Sequence, residues 1–67
     1  MNARSLIQEQ AEWWYELHNP SFEEWRAFIE GQANAALVCG LAKLVEMVEY
    51  TGDMLDWFDK QEGNNAG

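Results

Sequence analysis

Basic residues are scarce in this chain. Four Lys+Arg stand against 12 Asp+Glu in 67 residues, for a formal net charge of -8. A surface that neutralises phosphates is built from Lys and Arg, so direct nucleic-acid binding is excluded. Cysteine occurs once, as Cys39, which rules out an intrachain disulfide. Small secreted domains rely on disulfides, so a reducing, cytoplasmic setting is expected. Long apolar runs are missing too. The most apolar stretch, Ala33–Val48, is interrupted by Asn34, Lys43 and Glu46 and is too short and too charged for a membrane span. The opening MNARSLIQEQAEWW has no apolar centre of the kind a signal peptide needs. Alternating strand patterns and Asn-Gly or Asp-Gly turns are absent. The length leaves no room for the repeated βαβ units of a barrel or dinucleotide-binding enzyme.

What is present is apolar and aromatic. Hydrophobic residues make up 48% and aromatics 13%, including four Trp, which argues against a disordered chain. The periodicity is helical throughout, and the expected fold is all-α: one domain over residues 1–62 with a disordered tail over 63–67.

The first helix is predicted from Asn2 or Ser5 to about His18. Leu6, Ile7, Gln10, Trp13, Trp14, Leu17 and His18 fall on one wide face, and Glu9, Glu12 and Glu16 form a narrow stripe on the other side. Asn19-Pro20 ends it, because the residue before a proline disfavours helix. Ser21-Phe22-Glu23-Glu24 then reads as a capping box opening the second helix. From there an apolar stripe at spacings of three and four runs through Phe22, Trp25, Ile29, Ala33, Ala36, Gly40, Leu44, Met47, Thr51, Met54 and Phe58. Its unbroken phase predicts one helix of roughly 35 residues, about 50 Å long. The alternative is a kink or break at Gly52, with Asp53 capping a third helix. The expected architecture is a helical hairpin with a short first helix and a long second one.

Such a hairpin cannot cover itself. Ala35, Val38, Ala42 and Val45 lie opposite the main stripe, and Lys43 is the only charge between Gly31 and Val45. A helix apolar on two sides must be covered on two sides. Pairing of two hairpins into a four-helix homodimer is one solution, and a folded-back third helix is the other.

The acidic stripe is the candidate site. Glu46, Glu49, Asp53 and Asp56 follow one another at spacings of three, four and three on one helix face. Like charges at these spacings cost a few tenths of a kcal/mol per pair. One reading is a solvated face that keeps the protein soluble. The other is a surface for a protein partner with a basic face, including a nucleic-acid mimic that places carboxylates where phosphates would sit. Trp57, beside the acids, would serve as an aromatic anchor. The partner-binding set is therefore Glu46, Glu49, Asp53, Asp56 and Trp57, and the expected function is an inhibitor of a basic or nucleic-acid-binding protein.

No catalytic residue, metal ligand or cofactor is assigned. His18 is expected at a helix C-terminus, Cys39 as a small buried hydrophobe, and Ser5 and Ser21 as caps. The pairs Glu9/Glu12, Glu46/Glu49 and Asp53/Asp56 resemble the E-x-x-E and E-x-x-D pairs of all-helical metal-dependent nucleotide pyrophosphohydrolases. That resemblance implies an alternative, a magnesium enzyme formed at the dimer interface, in a chain where 12 acids produce such spacings readily. A small structural subunit of a larger assembly is a further alternative. In size and charge the chain also resembles small phage- and plasmid-encoded inhibitors, a likeness of size and charge alone.

Overall fold

The computed structural model describes residues 3–66, and side chains as far as Gly63. Met1, Asn2 and Gly67 lie outside the described residues. So does the last residue of the expected tail; residues 63–66 continue the third helix. The described residues form three helices and no strand: α1 (Ala3–His18), α2 (Phe22–Val38) and α3 (Leu44–Ala66). The all-α expectation is met. The two-helix hairpin is not, since the predicted long helix is two helices folded back on each other.

The break falls at Gly40, not at Gly52. Cys39 caps α2 and Gly40 takes the left-handed φ of 70° that a side chain resists. Its N–H donates to the Leu37 carbonyl at 3.1 Å, and the Leu41 N–H donates to Ala36 at 2.9 Å. This pair of backward bonds is the Schellman ending of a helix, and it satisfies carbonyls that α2 would otherwise leave bare. Gly52 sits inside α3, which runs through it without interruption.

Ser5, expected as a cap, lies inside α1, which begins at Ala3; the signals around Asn19 and Ser21 act as read. Asn19 ends α1 with φ 46°, a conformation its short polar side chain tolerates. The Ser21 hydroxyl accepts from the Glu24 N–H at 3.3 Å, and the Glu24 carboxylate accepts from the Ser21 N–H at 3.0 Å. That bonding at an exposed helix start holds the Glu24 carboxyl below its usual 4.5.

Most of the apolar stripe is core, divided between two antiparallel helices; Phe22 and Leu44 of the stripe are exposed, and Tyr50, outside it, is buried. Trp25, Ile29, Ala33 and Ala36 from α2 meet Met47, Tyr50, Met54 and Phe58 from α3, and all are buried. Trp25 is fully enclosed, and its indole Nε1 donates to the Met54 carbonyl at 2.9 Å. α1 closes the third side with Ala11 and Tyr15. It lies antiparallel to α2, with Trp14 stacked on Phe28 at 4.2 Å, and parallel to α3, with Tyr15 edge-on to Trp57 and Phe58. Gln32 touches all three helices. Its Nε2 donates to the Ile7 carbonyl at 2.8 Å, and its Oε1 accepts from the Tyr50 hydroxyl at 2.6 Å.

The expected inner face of α1 is corrected by this packing. Leu6, Trp13 and Leu17 are exposed, while Ala11 and Tyr15 point inward. The inner face is turned by about 100°, one residue's step around a helix. The cause is that α1 fits between two helices rather than against one. Cys39 is likewise exposed rather than buried, because it caps α2 at the surface. His18 does end α1, exposed and lying against the Trp14 ring at 5.1 Å.

Candidate functional site

α3 carries the acidic residues in one line down the outside of the bundle. Glu46 stands in its first turn, where a carboxylate suits the positive end of the helix. Glu46, Glu49, Asp53 and Asp56 are all exposed. They are ten residue steps apart from first to last, so four carboxylates lie along about 15 Å of helix. Only Asp53 among them has an ionic partner among the described residues, the Arg4 guanidinium from α1. Asp59 follows on the same helix, while Glu62 accepts from the Tyr15 hydroxyl.

Trp57 lies differently. It is half-buried, stacked on Trp25 at 5.3 Å and edge-on to Tyr15 at 5.1 Å. Those contacts make it a side wall of the aromatic core, with one margin left toward the acids. The fully presented tryptophan is Trp13, 64% exposed on the outside of α1.

α1 borders the acidic line. Arg4 reaches Asp53 and lies over the Tyr50 ring at 6.0 Å. Glu12 is half-buried on the same side and accepts from Gln8 at 3.1 Å. Burial pushes the Tyr50 phenol well above its ordinary range; the Arg4 charge opposes that shift and the Glu12 charge adds to it. Tyr50 therefore stays protonated and keeps donating to Gln32.

The second surface is apolar, and sequence reasoning placed it only as an uncovered midsection. Val38, Leu41, Leu44, Val45 and Val48 gather around the α2–α3 turn and are each more than 60% exposed. The polar and ring contacts of α1 with α3 begin at Tyr50, while on the α2 side Ala3, Leu6 and Ile7 of α1 share a smaller groove with Cys39 and Leu41 of the turn. A groove of about 470 Å³ runs beside it between α2 and α3, lined by Ala33, Leu37, Leu44, Met47 and Val48 with Glu30 at its edge. The signal was the two-sided apolar character of the midsection. The missing piece was the turn at Gly40, which turns that midsection into the tip of a bundle.

The carboxylate pairs with metal-binding spacing do not converge. Among the described residues no group of three His, Cys, Asp or Glu comes together as a metal site within one chain. No helix among them is long and apolar enough to cross a membrane. Compared with known protein families, curated proteins and solved structures, the chain matches none.

Proposed function

We propose that this protein is a small binding module that blocks a partner protein by laying the acidic face of α3 on a basic surface. The observation that carries the reading is the line of four exposed carboxylates, Glu46, Glu49, Asp53 and Asp56, of which one alone has an ionic partner among the described residues. Uncompensated like charges on one helix face are unfavourable for the isolated protein. They become favourable against Lys and Arg. One carboxylate per roughly 5 Å of helix is comparable to the one charge per 3.4 Å of a single DNA strand. A groove shaped for nucleic acid is therefore a fitting target. Association would be fast and sensitive to salt. The margin of Trp57 adds an aromatic contact beside the acids. The module works as a homodimer in this reading, and so presents its acidic face twice. An exposed, unpaired Cys39 suits a reducing interior such as the cytoplasm.

The test is affinity capture from a bacterial lysate with the native chain and with Glu49→Lys/Asp56→Lys, at low and high salt. Asp53 is left intact because it holds Arg4. The expected result is a partner bound by the native chain, lost from the double variant and released by salt. A partner held equally by both proteins, or one indifferent to salt, would overturn the assignment.

A further inference from the structure

We infer that the exposed tip around the α2–α3 turn is the surface through which two copies of this chain pair, across a two-fold axis. The inference deepens the homodimer of the preceding reading and shares only Glu46 with the acidic face. Three observations select a second copy as the occupant.

The first is area. Val38, Leu41, Leu44, Val45 and Val48 are 63% to 87% exposed. At roughly 100 Å² of apolar surface each, they present about 500 Å², a patch at the upper end of what a monomer leaves in water. Doubled by a two-fold axis, that gives at most about 1,000 Å², the lower bound for a biological interface and the range of weak, concentration-dependent ones. In such a pairing the protruding Val38 and Leu41 of one copy would be available to fill the groove between α2 and α3 of the other.

The second is charge. Copies of a chain with net charge -8 repel one another over most of their surface. The tip is the exception. From Gly31 to Val45 its sole charge is Lys43, which is positive; Val48, the last residue of the patch, stands between Glu46 and Glu49. Carboxylates stand at its rim: Glu30, which pairs with Arg26 of its own helix at 3.4 Å, and Glu46. A neutral patch with one cation and an acidic rim is complementary to itself: Lys43 of each copy faces a rim carboxylate of the other. A basic partner gains nothing there.

The third is Lys43 itself. It occupies the capping position of α3, since its carbonyl accepts the first intrahelical bond from Met47 at 3.1 Å. Lysine has no acceptor with which to cap, and its charge opposes the positive end of the helix. It makes no ion pair among the described residues. A residue that is locally unfavourable and unpaired in one chain acquires a role when a second chain supplies a carboxylate.

The experiment is analytical ultracentrifugation of the full chain from micromolar to hundreds of micromolar, with helix content followed by circular dichroism. The native chain is expected to approach a species of twice its 7.8 kDa mass as concentration rises. Leu44→Glu/Val48→Glu, at positions already exposed in one chain, is expected to stay helical and monomeric. Lys43→Glu is expected to raise the melting temperature of the dilute monomer by improving the cap, yet to weaken pairing about tenfold. Adding Glu46→Lys to Lys43→Glu restores the pairing. A native chain at 7.8 kDa across the whole range, an open ladder of larger species, or pairing unchanged in Leu44→Glu/Val48→Glu would each overturn the proposal. None of these readouts involves the basic partner, so failure here and failure of the acidic-face reading are distinguishable.

Discussion

Replacing Gly40 and Gly52 by alanine, one at a time, should move stability in opposite directions. A Cβ at either site meets open space, so neither effect is steric against the rest of the fold. Gly52 lies inside α3, where alanine is favoured over glycine by about 1 kcal/mol. Gly52→Ala should therefore stabilise by about that amount. Gly40 holds φ 70°, where a side chain costs roughly 1–2 kcal/mol. The stiffer unfolded chain returns about 0.4–1 kcal/mol of this. Gly40→Ala should destabilise by about 1 kcal/mol net, leaving the two variants about 2 kcal/mol apart. In a domain this small each kcal/mol shifts the midpoint by about 4–8 °C. Thermal and urea unfolding followed by circular dichroism, all at one protein concentration, would read this directly. Concentration must be fixed because pairing raises apparent stability by mass action. If Gly52→Ala lost stability and Gly40→Ala kept it, the chain would turn at Gly52 and the tip described above would not exist.

Two further expectations concern the cap and the core. Ser21→Ala should cost about 1 kcal/mol by removing the acceptor for the Glu24 N–H. The Glu24 carboxyl titrates below 4.5 in the folded protein, so its contribution is complete above that pH and is lost as pH falls through the lower folded value. The stability gap between the native chain and Glu24→Gln should close over that interval, and a gap constant in pH would refute the reasoning. Trp25→Phe removes a fully enclosed indole and its bond to the Met54 carbonyl. It should cost about 2 kcal/mol in urea unfolding, from the lost bond and the void together. A change near zero would mean that this side chain is not enclosed.

The sequence carried the helical class, the end of α1 at Asn19-Pro20, the capping box at Ser21 and the membership of most of the core. It did not carry the turn at Gly40, for a physical reason. Periodicity reports which residues face apolar surroundings, not whether the rod between them is continuous. Ala36 and Met47 both look into the core, from helices running in opposite directions, and their separation of eleven residues also fits about three turns of a single helix. The glycine was visible, but without proline or a polar cluster nothing marked it as an ending. The face of α1 was misread because Trp13, Leu6 and Leu17 outweigh Ala11 and Tyr15 in hydrophobicity. A helix wedged between two others selects small and edge-on side chains instead. The exposure of Glu46, Glu49, Asp53 and Asp56 was legible from their charge. The position of Trp57 was not, since it depends on Trp25 and Tyr15 arriving from other helices.

Gln32 has a consequence for how many ways this chain can pack. Three helices joined by apolar stripes of similar residues can slide past one another by a full turn, 5.4 Å, and still bury oil against oil. A bundle held by such contacts alone has neighbouring minima of nearly equal energy. The Gln32 amide removes that degeneracy. Its nitrogen end fits a carbonyl of α1 and its oxygen end fits a hydroxyl of α3, so the group reads in one orientation only. A one-turn slip of either neighbour strands a polar group in the interior, at about 1–3 kcal/mol for each partner lost. Gln32 thus ties α2 to both neighbours at once, and with the Trp25–Met54, Arg4–Asp53 and Tyr15–Glu62 contacts it fixes the vertical alignment of the bundle.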